Sequence, residues 1–230
     1  MQFERKDMDV YILLLSAPLL LTLYRYHGYA EYFGKYFPSM TSLPLYDFYA
    51  HLWQFGIFFV LMLIVPFLII KLYFKRPFSY YGLGLGDAKF GFKLVLIVIP
   101  LLIVPLIFIA SKMPDVRAEY PLAKILFSRP DLIIWYQAAY AVFYYIAWEF
   151  FFRGFLLFGL KDELGSFNAN LIQTISSCLI HIGKPEGEIL GSIVAGIIFG
   201  AIALRTRSIW YVFILHACIG ILTDLFIIYF

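Results

Sequence analysis

Glu149 and Arg153 lie in Trp148-Glu149-Phe150-Phe151-Phe152-Arg153-Gly154, in the middle of an apolar run long enough to cross a bilayer. Ionised side chains are expensive at such depth, so a pair of them marks a functional site by default. His181 and His216 lie in later apolar runs. A carboxylate with an imidazole can hold a water and take its proton. The second histidine, or Arg153, would then stabilise the oxyanion. Two histidines and a carboxylate are also a zinc donor set. The chain has no His-Glu-x-x-His and no cysteine at ligand spacing, so the reading favours metal-free water activation with no cofactor, and zinc stays open.

The elements that must position these groups are membrane helices. Hydrophobic residues make up 63% of the 230-residue chain and charged residues 14%, against roughly 45–50% and about 25% in soluble domains. Seven apolar segments stand out, at 10–26, 51–74, 92–111, 132–160, 168–182, 188–204 and 208–230. Most approach the roughly 20 residues that a spanning helix needs. The expected fold is therefore all-α: a polytopic bundle of about seven transmembrane helices, one membrane domain without a soluble one. Within it, residues 1–130 supply N-terminal helices and interfacial loops, and 131–230 the core that carries the site. The fifth and sixth segments are short and polar, which suits shielding by neighbouring helices.

Pro66, Pro100 and Pro105 should kink the second and third helices. The Gly196-x-x-x-Gly200 spacing predicts close packing of the sixth helix on a neighbour. Residues 27–50, rich in Tyr, Phe and Pro, read as an interfacial aromatic belt. Pro121–Phe127 reads as a helix lying on the membrane surface. Cys178 and Cys218 fall inside helices and behave as small hydrophobes. The first apolar run lacks a small-residue cleavage site and reads as a retained helix.

Orientation follows from the basic residues. With the N-terminus inside, the cytoplasmic side collects Arg5, Lys6, Lys71, Lys75, Arg76, Lys89, Lys93, Lys161, Arg205 and Arg207. The other side collects Arg25, Lys35, Lys112, Arg117, Lys124, Arg129 and Lys184. The expectation is an integral protein of the plasma (inner) membrane with a cytoplasmic N-terminus. A net charge of +3 signals no nucleic-acid partner.

Depth links the polar groups. At about 1.5 Å per residue, Glu149 stands roughly 16 Å from the inner end of the fourth segment, His181 roughly 20 Å along the fifth and His216 roughly 12 Å along the seventh. All three then sit near one level. Glu149 and Arg153 at i, i+4 also form a favourable helical ion pair, which offers a purely structural reading of both. Either histidine alone reads equally well as an interhelical hydrogen-bonder. Two of them at the depth of a carboxylate favour a joint site.

Glu149-x-x-x-Arg153-Gly154, followed by His181 and His216 on later helices, resembles the CPBP family of CAAX prenyl endoproteases and bacteriocin-processing or immunity proteins. The resemblance covers roughly residues 130–226 and takes in the stretch from Gly196 to Trp210. It implies a helical membrane bundle that hydrolyses peptide bonds inside the membrane with a glutamate-activated water.

Three positions depart from the family pattern. Trp148 stands where the first Glu of Glu-Glu-x-x-x-Arg is usual, so Glu149 matches the second. Ser177 replaces a Phe four residues before His181, and Gly220 replaces an Asn or Asp four residues after His216. Three acids are candidates to support the site. Glu186 and Glu188, which follow His181, could fold back over it; otherwise Glu188 serves the N-terminus of the sixth helix and Glu186 is solvated. Asp224 lies two turns beyond His216 on nearly the same face, or else partners a polar group near the surface.

The leading reading is an intramembrane endopeptidase. Glu149 and His181 hold the nucleophilic water, His216 binds the oxyanion or the water, and Arg153 fixes Glu149. The expected partner is a membrane or lipid-modified protein or peptide within the bilayer. A catalytically inactive scaffold or immunity protein is the alternative. A proton-coupled carrier is a third reading, against which stands the lack of an internal repeat.

Overall fold

A computed structural model describes residues 7–230. Arg5 and Lys6, counted above toward the cytoplasmic face, lie outside the described residues. Seven principal helices run through the molecule: α1 (Met8–Gly28), α2 (Tyr46–Phe74), α3 (Ala88–Ala110), α4 (Pro130–Leu164), α5 (Ser166–Leu179), α6 (Glu186–Thr206) and α7 (Trp210–Tyr229). Among the described residues there is no strand. All but α5 are long and apolar enough to span a membrane. Six of the seven expected segments thus form helices of spanning length, and α5, at 14 residues, is about 21 Å long at 1.5 Å per residue.

Helix α4 is the axis of this integral membrane bundle. Every residue from Ala147 to Leu160 is buried, as expected of a helix that is apolar all round. Around it, Phe58 of α2 stacks on Trp148, and Leu13 of α1 fills the space over Gly159. On the outer surface apolar side chains stay exposed, with Leu15, Leu96 and Leu101 between 68% and 74% accessible. In water these would be a liability; facing hydrocarbon they are at home.

Proline shapes the outer helices. Backbone hydrogen bonding widens to i→i+5 over Val60–Ile64, just before Pro66, and over Ile99–Ile103, which contains Pro100. Such a widened turn absorbs the donor that proline lacks. The same widening spans Phe150–Phe158 on α4, immediately after Glu149.

Tight connections fix the later helices. Gly165 turns α4 into α5 at φ +80° and ψ 150°, a conformation that is essentially restricted to glycine. Gly86, at φ +52°, lies so close to the α6–α7 turn that a Cβ would come within 1.9 Å of the Thr206 carbonyl oxygen. The loop Gly82–Asp87 is thereby pinned to that turn. The Asp87 amide donates to Thr206 O at 2.8 Å, and Tyr211 Oη donates to Leu85 O at 2.7 Å. Arg205 pairs with Asp87 at 2.9 Å.

Two sequence expectations change. Pro121–Phe127 is not a surface helix: it holds only one 3-10 turn, Lys124–Phe127. Ala123 and Leu126 are fully buried against Phe55 and Tyr136, and Asp47 accepts the Ile125 amide at 2.9 Å. The short helix of this segment lies earlier, at Pro114–Glu119. Helix α6 is also not shielded, since Leu190, Val194 and Ile198 are all exposed on its outer face. The glycine spacing packs as expected. A Cβ on Gly196 would meet Thr174 at 2.8 Å, and one on Gly200 would meet Asn170 Oδ1 at 1.8 Å. Polar side chains of α5 complete that seam, with Asn170 and Gln173 donating to the carbonyls of Ile197 and Gly196.

Candidate active site

Glu149 and Arg153 face the same side of α4 and pair at 3.2 Å, both buried. The Glu149 Oε1 atom also accepts from Nδ1 of His216, on α7, at 2.6 Å. A carboxylate accepts, so the Nδ1 proton of His216 is committed and Nε2 is its remaining ring nitrogen. Glu149 itself is fully buried, with Oε2 lacking a hydrogen-bond partner among the described residues.

His181 is placed differently. It follows the C-terminus of α5, where Nδ1 donates to the Ser177 carbonyl at 2.6 Å. That bond also leaves Nε2 as the free ring nitrogen. No contact joins His181 to Glu149. Both imidazoles instead meet Trp148, edge-on, with ring centroids 5.2 Å away for His181 and 5.6 Å for His216. The indole thus stands against both histidines.

A cavity of about 410 Å³ opens beside these groups. Trp148 and Arg153 of α4, Ser177 and His181 at the end of α5, and His216 of α7 line it. Small residues of α6 form another wall: Gly187, Gly191, Ser192, Ala195 and Gly196. Leu106, Ile107 and Ala110 of α3 close the far side. The mix of an apolar lining with a few convergent polar groups is typical of ligand sites. A smaller cavity of about 60 Å³ shares Trp148, His181 and His216 and extends among Tyr29, Tyr140 and Tyr144.

Gly220 and Ser177 each have a local explanation. Gly220 is required by Tyr145, whose hydroxyl would come within 1.8 Å of a Cβ there. The Tyr145 ring in turn packs edge-on against His216 at 4.7 Å. Ser177 turns its hydroxyl back to the Thr174 carbonyl, so its side chain stays small at the cavity wall.

Two of the supporting acids do not join the cluster. Glu186 is exposed and lines neither cavity. Asp224 is buried but accepts from Gln137 Nε2 of α4 at 2.7 Å. It also lines neither cavity. The acid that does reach the site is Glu188, two residues beyond Glu186. Its Oε1 lies 4.0 Å from His181 Nε2 and accepts from Tyr120 Oη at 2.7 Å. The loop sequence alone contains the signal that an acid follows His181, but not which of the two turns inward.

Among the described residues no three His, Cys, Asp or Glu side chains gather closely enough to hold a metal ion. The geometry offers two imidazoles, each with Nδ1 anchored, one buried guanidinium and, at the cavity wall, the carboxylates of Glu188 and the exposed Asp115. That set can position a water and stabilise developing negative charge.

Neither the curated proteins nor the solved structures contain a match to the chain. Residues 130–222, the stretch from the start of α4 into α7 that builds the site, match the family described as type II CAAX prenyl endopeptidase Rce1-like, a CPBP-type protease family.

Proposed function

We propose that the protein is an intramembrane endopeptidase that hydrolyses a peptide bond in a membrane or lipid-modified protein. The observation that carries the reading is the anchoring of both imidazoles through Nδ1 at one cavity wall, within a stretch that matches a protease family. His181 would hold the attacking water through Nε2. His216, backed by Glu149, and the Arg153 guanidinium would bracket the oxyanion. In this arrangement Glu149 is a positioning residue: it fixes the His216 ring instead of holding water with His181. The apolar walls from α3 and α6 suit a substrate chain that arrives through hydrocarbon. The family's name makes prenylated proteins the first substrates to try.

The test compares protein termini in membranes of cells expressing the wild-type chain or His181→Ala at matched levels. Termini present only with wild type establish proteolysis and name the substrate. Identical termini reject it.

One observation favours a second reading. Trp148, which the resemblance aligns with a carboxylate, packs against both histidines. A non-catalytic membrane scaffold or immunity protein would tolerate that exchange. On this reading His181→Ala folds and keeps its biological effect.

A further inference from the structure

We propose that Glu188 is the carboxylate that takes the proton of the attacking water, working with His181 across a gap that one water spans; the inference rests on the proteolytic reading above. The two side chains come from opposite ends of the 180–185 loop and face each other at the cavity wall. Their 4.0 Å separation is too long for a direct hydrogen bond and suits one bridging water at about 2.8 Å from each atom. Because His181 Nδ1 is committed to Ser177 O, Nε2 accepts one water proton while Glu188 accepts the other. Both protons are then held and a lone pair of the water is left for the substrate.

Glu188 is also held for this task from outside its own helix. Tyr120, from the segment joining α3 to α4, donates to its Oε1, and that oxygen keeps a second lone pair. Lys184 in the same loop is engaged by Glu119, not committed to Glu188 alone. Glu149 cannot serve in its place, since its carboxylate is buried behind Arg153 and His216. A role confined to the N-terminal charge of α6 would need neither Tyr120 nor His181.

The step balances. The water oxygen bonds to the scissile carbonyl carbon as one proton passes to Glu188. The tetrahedral oxyanion collapses, the C–N bond breaks, and Glu188 returns its proton to the leaving amine. The second water proton stays on the new carboxyl group and then passes to the amine, so the products are a carboxylate and an ammonium.

The experiment uses membranes containing the full-length chain and scores the wild-type-dependent termini, with thermal unfolding in detergent as the folding control. Glu188→Gln is expected to lose about 10²–10⁴-fold in cleavage with unchanged unfolding temperature. Glu188→Ala is expected to regain cleavage when sodium formate is added. Glu188→Gln cleaving within twofold of wild type while His181→Ala is dead overturns the assignment and leaves the proteolytic reading standing. Loss in Glu188→Ala that formate does not restore also overturns it. Should Glu188→Gln not accumulate, Tyr120→Phe is scored instead: about tenfold loss supports the assignment and unchanged cleavage overturns it. A wild type that generates no termini overturns both readings.

Discussion

Nδ1 of His216 and Oε1 of Glu149 lie 2.6 Å apart between α7 and α4, and Arg153 reaches the same oxygen at 3.2 Å. One carboxylate oxygen thus ties two helices and neutralises a buried guanidinium. Replacing Glu149 with Gln leaves Arg153 buried without its counter-charge, and breaking a buried pair costs about 3–5 kcal/mol. The expected outcome is a lower unfolding temperature in detergent together with lost cleavage. Unchanged stability would show that Arg153 has another partner.

The glycines of α6 should separate packing from function. A Cβ on Gly191 meets nothing within 4 Å, and the residue faces the cavity. Gly191→Leu should therefore fold with near wild-type stability while blocking substrate. Gly200→Ala drives a methyl into Asn170 Oδ1 and should destabilise by about 1–3 kcal/mol. Cleavage assays paired with thermal melts distinguish the two effects.

Trp148 is 3% exposed among Phe58, Tyr144 and Phe152. Truncation to Ala should cost about 3–5 kcal/mol, whereas Phe should retain most of the packing. Trp148→Glu recreates the family's paired acids but buries a second carboxylate among aromatic rings. The expected outcome is poor accumulation in the membrane and no gain in cleavage, read by quantitative blotting beside the termini assay.

Asp87 supplies a pH test outside the membrane-spanning helices. Its carboxyl is held below the usual range first by the Phe90 amide and then by Arg205. A folded value below the unfolded one means that the contribution is fully present near neutrality and is lost as pH falls through about 4 and below. Asp87→Ala should therefore lower the unfolding temperature at pH 7 and make less difference at pH 3.

Much of this arrangement was legible in the sequence because lipid makes polar residues conspicuous. Glu149, His181 and His216 stand out as polar groups at one depth; the structure joins Glu149 to His216 and to Arg153 one turn on, whereas His181 bonds to the Ser177 carbonyl and meets the cluster only through Trp148. Composition carries the helical membrane architecture, while α5 is shorter than its apolar segment, whose pattern runs past the helix C-terminus into the turn at His181. Glu188 was not separable from Glu186 because the choice depends on the path of the 183–185 turn. Gly183 adopts φ +100° there, and Tyr120 arrives from 68 residues away. Asp224 was tied to His216 by helical spacing. Its actual partner, Gln137, sits on another helix that no periodicity within α7 could reveal.

The pinning of Gly82–Asp87 to the α6–α7 turn determines how the cavity can change size. At that end α3 and α6 are joined through Asp87, Thr206 and Arg205. The cavity lies toward the opposite end, between the last turns of α3 and the first of α6. Widening by rigid-body motion would be a pivot about Thr206 that moves Gly187 most and strains the Tyr120–Glu188 bond and the Lys184–Glu119 pair. The arm from Thr206 to Gly187 is about 28 Å at 1.5 Å per residue, so a tilt of about 5° displaces the Gly187 wall by about 2–3 Å. Because Glu188 rides near that end and His181 lies just across the 180–185 loop, any swing that widened the cavity would also change the distance between them.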